Sequence, residues 1–330
     1  MAGQIWAVSA LGGYMYTDEL TNVLRTAIQP VVRFRQFCDA KDATDKGLGK
    51  GQAFNWNVYK DVQDGGGELD ESIAMPETNY EIVQGSLTIT EYGNSVPYSG
   101  KLDNLSKQPV SEIIHKVLKN DAKKTLDGAA FNQFNATLLL IDILTATTVT
   151  FRENDAASMT TNAAVDNLNT TTLRLIIDEM KERDMPPYMG DDYYCIARPR
   201  NYTDLRTYLE TVFQHTETGF GRIMNGEIGR YYGCRFVEQT HVAAGGAIDS
   251  TTYNFRTADA WANANDWAFF LSEDTVAEAL AIPEEIRGKI PTDFGRSRGV
   301  AWYYLGGFGI VHNDTGYLSQ NRIAKWDSAA

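Results

Sequence analysis

The sequence predicts an α+β fold, because strand-like alternation, one unusually long helical pattern and a return to strand patterns follow one another along the chain. With 330 residues, the chain exceeds the size at which a single hydrophobic core stops growing. We therefore expect two subdomains, or one domain with long extensions. Hydrophobic residues at 43% and charged residues at 22% are typical of globular proteins, so the chain is expected to fold.

The first 50 residues predict an N-terminal arm followed by a short helix. Residues 1–16 are small, aromatic and glycine-containing, without a sustained period, which indicates an arm that gains order only from its neighbours. A short amphipathic helix is predicted between Thr17 and Pro30, where apolar residues recur at helical spacing. Residues 39–51 are charged and contain three glycines, and we expect a connector there.

Two alternating runs predict a long two-stranded β-hairpin. Residues 54–58 alternate between large apolar side chains and asparagine, and residues 87–90 alternate again after a glycine-containing linker. An isolated ribbon is only marginally stable in water, because its apolar face has nothing to bury against. We therefore expect the acidic tip at 61–79 to contact another subunit. A loosely held surface hairpin on a monomer is the alternative.

The longest periodic segment predicts a helix from Pro109 to about Asn135. Apolar residues recur every three or four positions along it, and proline is tolerated in a first helical turn. Such a helix would be about 40 Å long at 1.5 Å per residue, well beyond the mean helix of roughly 11 to 12 residues. We interpret it as a structural spine.

The second half of the chain predicts a layered α/β or α+β arrangement. Residues 145–172 are rich in threonine, asparagine and alanine, and we place the main subdomain boundary there. Helices are predicted beyond it at 173–180 and 205–213. Strands are predicted at 193–197, 234–238, 267–271, 276–282, 300–311 and 322–326.

Charge and cysteine usage exclude several classes of protein. A net charge of -13 and a pI near 4.8 disfavour tight binding of nucleic acid, although excess carboxylates also keep abundant proteins soluble. The three cysteines lie far apart and indicate reduced, mostly buried thiols rather than a metal or redox site. The first basic residue is Arg25, so no signal peptide is expected, and no apolar run is long enough to span a bilayer.

The sequence contains no motif that predicts a catalytic, cofactor-binding or metal-binding site. Asp293-Phe294-Gly295 spells a kinase triplet, but the other kinase motifs are missing. The glycine clusters at 47–51 and 219–221 do not match a nucleotide-binding loop. Acidic doublets such as Asp191-Asp192 are expected on any acidic surface. The histidines are scattered and are interpreted as surface or hydrogen-bonded residues: His115, His215, His241 and His312.

Candidate contacts between subunits come from two charged groups of residues. Arg222, Arg230 and Arg235 surround Glu227, and arginine pairs well with carboxylates across subunit boundaries. We hypothesise that Glu227 or one of these arginines bridges neighbouring subunits. The acidic side chains of the hairpin tip are the second group: Asp64, Glu68, Asp70 and Glu71.

Residues 220–240 carry a resemblance to a known family. They follow a helix, and their order of glycine, asparagine, arginine and aromatic residues resembles the diagnostic stretch of the N4-like family of phage coat proteins. The matching positions are Asn225, Gly226, Glu227, Gly229, Arg230, Gly233, Arg235, Phe236, Val237 and Glu238. The wider order of predicted elements resembles the HK97-type capsid fold. That resemblance implies an N-terminal arm and short helix at 1–50, an extended loop at 51–98, a peripheral domain with the spine helix at 99–167, an axial domain at 168–265, and C-terminal strands at 266–330 that return to the peripheral domain.

The resemblance implies a major capsid protein of a tailed bacteriophage. Such a protein assembles in the host cytoplasm into pentamers and hexamers of an icosahedral or prolate virion shell, and it encloses double-stranded DNA without reading its sequence. Scaffolding, portal and decoration proteins are possible partners, whereas no cofactor, metal, membrane or enzymatic activity is implied. The acidic charge agrees, because a wall that bound DNA tightly would hinder packaging. The alternatives are an encapsulin-like compartment and a cytosolic α/β enzyme.

Overall fold

Two β-sheets, a two-stranded ribbon and a long helix make up the described part of the chain. A computed structural model describes residues 29, 31–42, 53–59, 67–71, 74–75, 77–145, 148–153, 168–203, 205–208, 229–241, 267–291, 293–312 and 320–326. The helices are α1 (Gly100–Leu105), α2 (Val110–Asn135) and α3 (Thr170–Glu182). The strands are β1 (Cys38–Asp42), β2 (Ala53–Tyr59), β3 (Ile82–Thr88), β4 (Thr90–Ser99), β5 (Leu139–Thr145), β6 (Thr148–Glu153), β7 (Tyr193–Ala197), β8 (Arg230–Tyr231), β9 (Cys234–Glu238), β10 (Ala268–Leu271), β11 (Val276–Gly288), β12 (Ser297–Ile310) and β13 (Ile323–Trp326).

The predicted spine helix is confirmed as α2, which is 26 residues long. Its buried stripe repeats every three or four residues, as expected for one face of an α-helix. The members of the stripe are Val110, Ile114, Leu118, Ala122, Leu126, Ala130 and Phe134. This stripe packs on the four-stranded sheet, whose order is β1-β11-β12-β4. Each fully buried leucine contributes roughly 1.5–3 kcal/mol by leaving water, so packing of this face holds the helix in place.

The seven-stranded sheet separates two hydrophobic cores. Its strand order is β6-β5-β13-β10-β7-β9-β8. On one face, α3 packs against side chains such as Cys195 and Phe270, whereas the neighbouring Ile196 and Phe269 point to the α2 side. Because successive side chains of a strand alternate between faces, both faces of β7 and β10 are buried. The strand predictions at 193–197, 234–238 and 267–271 agree with these elements.

The C-terminal third contributes to both sheets. Strands β11 and β12 pair antiparallel in the four-stranded sheet, and β12 also pairs with β4 from Ser297 opposite Ser99 to Gly306 opposite Thr90. Strands β10 and β13 pair with each other in the seven-stranded sheet. The chain therefore crosses between the two sheets twice after residue 267, and this crossing joins them around α2.

Two segments that the sequence predicted to be connections contain β-strands, so both predictions were wrong. The connector predicted at 39–51 begins with β1, whose residues pair in parallel with β11. The crossing predicted at 145–172 contains β6, which pairs with β5 at the edge of the larger sheet. Both strands lie at sheet edges, where charged and threonine side chains are tolerated, and in β6 the apolar Val149 and Phe151 alternate with polar residues. The predicted helix at 17–30, apart from residue 29, and the end of the one at 205–213 lie outside the described residues.

The β2–β3 ribbon is confirmed as a hairpin, but the prediction that it has nothing to bury against was wrong. Its inner face packs on the four-stranded sheet of the same chain, on the side opposite α2. Leu87 is only 4% exposed and contacts Ala277, Ala279 and Val311. Trp56 Nε1 donates a hydrogen bond to the Val311 carbonyl oxygen at 3.2 Å. Residues 90–98 of the predicted loop belong to β4 and therefore to the sheet.

Two glycines of β12 allow the ribbon to approach this closely. A Cβ atom placed on Gly307 would lie 2.3 Å from the Thr88 carbonyl oxygen, and one on Gly309 would lie 2.8 Å from the Leu87 Cβ. Both distances are too short for any side chain. The sequence showed glycines in the last long strand, and the structure shows that they accommodate a second backbone.

We predict that Gly307→Ala separates the base of the ribbon from the sheet. The added methyl group meets a backbone carbonyl that cannot rotate away, so the free energy of unfolding is expected to fall by about 1–3 kcal/mol. Gly288→Ala is the matched control, because a Cβ there meets nothing within 4 Å. Urea unfolding of the purified chain measures both variants. Equal stability of the two variants would contradict this role for Gly307.

Candidate assembly surfaces

The search for a metal centre finds no candidate within the part of the chain that the structure describes. No group of three or more His, Cys, Asp or Glu side chains in this part of the chain is placed to hold a metal ion. Among the same residues, no helix combines the length and apolar character that crossing a membrane requires. Cys38, Cys195 and Cys234 are free thiols, as predicted. Burial raises the pKa of the Cys234 thiol well above its usual value, so it stays protonated.

The histidines have structural roles where the structure describes them. His241 is buried, and its Nδ1 lies 2.8 Å from Asp127 Oδ2 on α2. His312 Nε2 lies 3.3 Å from Asp274 Oδ2, and His115 is exposed on the spine helix. The remaining histidine, His215, lies outside the described residues. These contacts agree with the prediction that the histidines are surface or hydrogen-bonded residues.

A partly buried charged cluster anchors the segment that leads into β1. Arg35 Nη2 lies 2.7 Å from Glu278 Oε1, and a second carboxylate, Glu284, also pairs with the guanidinium. The Tyr304 hydroxyl donates to the same Glu278 oxygen at 2.8 Å. Burial and then the Glu278 charge raise the pKa of Tyr304, so the hydroxyl remains a donor. Although burial opposes it, hydrogen bonding to both carboxylates raises the pKa of Arg35.

An aromatic cluster beside these charges fixes the same segment. Phe34 is fully buried, and its ring centroid lies 5.1 Å from that of Phe131 and 5.6 Å from that of Phe269. The Asp127 carboxylate accepts a hydrogen bond from the Arg35 backbone N–H at 3.1 Å. Residues 34–38 are therefore held by α2 and by both sheets.

The tip of the β2–β3 ribbon carries the predicted acidic contact residues. Glu68, Asp70 and Glu71 are all exposed, whereas Asp64 lies outside the described residues. Two apolar side chains accompany them: Leu69 is 55% exposed and Met75 is 67% exposed. The base of the ribbon is thus packed within the chain, while its tip presents carboxylates with apolar residues between them. That combination is typical of a surface that meets a partner.

The structure brings two of the predicted arginines onto one carboxylate. Arg230 Nε lies 2.6 Å from Asp192 Oδ1, and Arg235 Nε lies 2.7 Å from Asp192 Oδ2. The Asp192 side chain is almost fully buried, while both arginines remain about half exposed. Hydrogen bonding to Asp192 raises the pKa of Arg235. Sequence reasoning treated Asp192 as a surface doublet and missed it, although its position directly before the buried strand β7 is a signal.

A tight turn explains how the two arginines come together. Arg230 stands directly opposite Arg235 in the β8–β9 pair, so both side chains point to the same face. Tyr232 and Gly233 connect the strands with φ values of 50° and 75°, the backbone of a two-residue hairpin turn. Arg222 and Glu227 lie outside the described residues, so a bridge from this cluster to another subunit stays a prediction.

The far end of the β11–β12 hairpin forms an apolar knob that sequence reasoning did not single out. Ile286, Ile290 and Phe294 are 54%, 84% and 106% exposed. Phe294 and Asp293 both have positive φ, which is uncommon for non-glycine residues and costs free energy. Basic side chains surround the knob at Arg287, Lys289, Arg296 and Arg298. Three isolated apolar residues in a charged segment are the sequence signal that would have found it.

Comparison with known proteins finds a family match and similar folds. The family model described as "Phage capsid protein" matches residues 86–318. The capsid structure of cyanophage P-SCSP1u aligns with a TM-score of 0.66 at 14% identity, covering 96% of this chain and 93% of that one. The capsid asymmetric unit of cyanophage Pam1 gives 0.67 at 12% identity, covering 98% and 100%. No curated protein matches by sequence. The predicted α+β, HK97-type capsid fold is therefore confirmed.

We predict that Asp192→Asn lowers the thermal stability of the chain, whereas Asp191→Asn does not. Asp192 pairs with two arginines that otherwise repel each other across the β8–β9 turn, while the neighbouring Asp191 is exposed. The Tm of the two variants, measured side by side at low and high salt, checks this. A destabilisation by Asp192→Asn that shrinks at high salt is expected, because salt screens the repulsion between the arginines. An equal loss in Asp191→Asn would contradict it.

Proposed function

The chain belongs to the phage capsid protein family as a major capsid protein, and from that premise we propose that its copies self-assemble into an icosahedral or prolate shell around double-stranded DNA. The observation that carries the proposal is the extent of the family match. It begins within β3 and ends beyond β12, so it takes in the spine helix and strands of both sheets. We propose that the chain has no catalytic activity of its own.

We propose that the chain divides as the capsid resemblance implies. The arm and short helix occupy 1–50, the extended loop 51–98, the peripheral domain 99–167 and the axial domain 168–265, with strands at 266–330 returning to the peripheral domain. The intrachain packing of the ribbon base limits the projecting part of the loop to its tip. We also propose assignment to the N4-like branch of capsid proteins, supported by the glycine and arginine positions between 225 and 238.

We propose that the acidic ribbon tip of one subunit contacts the basic end of the β11–β12 hairpin in the next. The tip carries Glu68, Asp70 and Glu71, and the opposite end of the four-stranded sheet carries Lys289, Arg296 and Arg298. Arg298 is 2.5 Å from Asp103, and Arg296 is 3.5 Å from Asp293, so part of this positive charge is neutralised within the chain. A locally basic end on a chain of net charge -13 still favours an acidic partner.

We propose pentamers and hexamers as the assembly units, formed in the host cytoplasm and incorporated into the virion. Scaffolding, portal and decoration proteins are proposed partners of the finished or growing shell. The acidic composition supports a wall that encloses DNA without binding it tightly. An encapsulin-like compartment would share the fold but would enclose a protein cargo, and no feature of the described residues favours it or an α/β enzyme.

Negative-stain electron microscopy of the expressed chain tests the proposal directly. Closed particles of megadalton mass are expected, and a chain that remains a monomer or small oligomer under all assembly conditions would refute it. The nucleic acid extracted from particles made during phage infection distinguishes the alternatives. A virion shell contains double-stranded DNA, whereas a compartment contains protein cargo.

We predict that reversing the tip charges with Glu68→Lys, Asp70→Lys and Glu71→Lys together lowers the yield of particles. A single exposed ion pair contributes only about 0–1 kcal/mol, but the contact recurs in every subunit of the shell. Adding Lys289→Glu and Arg296→Glu to the same chain is expected to restore assembly in part, because the signs are exchanged. Particle yield by sedimentation measures the effect.

The control for charge reversal is Glu112→Lys, which changes an exposed carboxylate on the spine helix. It is expected to leave the particle yield unchanged. Normal assembly of the triple tip variant, or no rescue by the exchanged charges, would count against contact between these two surfaces.

A further inference from the structure

Strand β11 carries two extra residues relative to β12 near its middle. Its register shifts by one residue between Leu280 and Ile282, and by one more between Ile282 and Glu285. Pro283 lies in the second shift, where the strand has no regular partner for an N–H donor. Such β-bulges bend a strand and increase its twist. Strand β11 is buried or half-buried up to Ile282 and exposed from Pro283 to Gly288, so the bulges lie where the hairpin leaves the core.

Arg35 joins the two sides of these bulges. Its Nη2 and Nε lie 2.7 Å and 3.1 Å from Glu278 Oε1, on the buried side, and its Nη1 pairs with Glu284 within the second bulge. One guanidinium can hold two carboxylates because its five donors lie in a rigid plane. Although burial opposes it, hydrogen bonding from Arg35 lowers the pKa of the Glu284 carboxyl group, so this pair stays charged. We call these three side chains the clamp.

The clamp is itself tied to the spine helix. The Arg35 backbone N–H donates to Asp127 Oδ1 of α2 at 3.1 Å, and the Arg35 Cζ atom lies 5.5 Å from the centroid of the Tyr304 ring. On the other strand, Trp302 Nε1 donates to Asp121 Oδ2 of α2 at 2.9 Å. Both strands of the hairpin are thus connected to α2. The connection of β12 lies in a regular part of the ladder, whereas the connection of β11 acts on the bulges.

We propose that Arg35 is a positioning residue for assembly, which fixes through Glu284 the direction in which the far end of the β11–β12 hairpin leaves the subunit. That end carries the apolar knob with the exposed Ile290 and Phe294. Exposed apolar side chains rimmed by charged ones mark a contact surface, and in the proposed shell, on which this inference rests, the partner is a second copy. A change in the direction of a repeated contact changes the rotation between neighbours, and with it the diameter at which a shell closes.

Electron microscopy of particles assembled from the Glu284→Ala variant tests this role. The variant keeps the contacts of Arg35 with Glu278 and Asp127 and removes only its contact with the bulge. The distribution of particle diameters is expected to be about twice as wide as that of the wild-type chain, with irregular or open shells among the particles. Because the Glu284 side chain is about one-third exposed, the urea midpoint of the unassembled chain is expected to change little.

Glu285→Ala is the matched control, because Glu285 is the next residue and also forms an ion pair. Its Oε1 lies 2.6 Å from Arg287 Nε, two residues further along the same strand, so this pair does not span the bulges. The control removes the same charge and one ion pair, and its particle diameters are expected to match those of the wild-type chain. Equal broadening in both variants would overturn the proposal, as would an unchanged distribution for Glu284→Ala.

Arg35→Lys separates positioning from stability. Lysine keeps the positive charge, but its single ammonium group does not reproduce the planar pairing with two carboxylates, so a broadened distribution is expected. The double variant Arg35→Lys, Glu284→Ala is expected to be no broader than the single variants, because both remove the same link. Additive broadening would contradict the clamp. Partial unfolding of Glu284→Ala under assembly conditions would assign Glu284 to stability alone, which also overturns the proposal.

Failure of this inference is distinguishable from failure of the proposed function, because the wild-type chain is examined in parallel. Closed wild-type particles, together with Glu284→Ala particles of the same diameters, leave the shell intact and refute the positioning role alone. A wild-type chain that forms no particles under any assembly condition refutes the proposed function, and this inference with it.

Discussion

The close approach of two backbones at Gly307 and Thr88 is the constraint on which the rest of the structure depends. It allows the β2–β3 ribbon to lie on one face of the four-stranded sheet while α2 packs on the other. Strand β12 is therefore covered on both faces near this end. Burying Leu87, Trp56 and their neighbours within the chain removes the main weakness of an isolated ribbon. The position of the ribbon base is thereby fixed by contacts within one chain.

A second set of contacts, made by Phe34 and Arg35, fixes the segment that leads into β1. It ties the N-terminal segment to α2, to β11 and β12 through Glu278 and Tyr304, and to the seven-stranded sheet through Phe269. A partly buried arginine is tolerated because two carboxylates pair with its guanidinium, while the Tyr304 hydroxyl donates to one of them, Glu278. Residues 34–38 are therefore as firmly placed as the base of the ribbon.

Much of the fold was predictable where a residue's partners lie close in sequence. The buried stripe of α2 and the alternation of residues 54–58 both depend on local periodicity, and both predictions were confirmed. Strand β1 and the buried Asp142, which pairs with Arg152, were missed because their environment comes from distant strands or from a specific ion pair. The burial of the ribbon depends on Gly307 and Gly309, about 220 residues away from Leu87 and Thr88, which no local pattern reveals.

The same reasoning explains why the candidate surfaces were only partly predicted. Charge alone predicted contact surfaces at the acidic ribbon tip and at Arg230 and Arg235. It did not reveal Asp192, which pairs with both arginines, or the exposed apolar residues around Phe294. Strand β12 links these findings, because the knob precedes its first residue and the ribbon packs on Gly307 and Gly309 near its last, roughly 40 Å away at 3.3 Å per residue. Contacts made by opposite ends of one rigid element are head-to-tail, and head-to-tail contacts close into rings when the rotation between neighbours permits. In the proposed shell, such head-to-tail contacts join each subunit to the next.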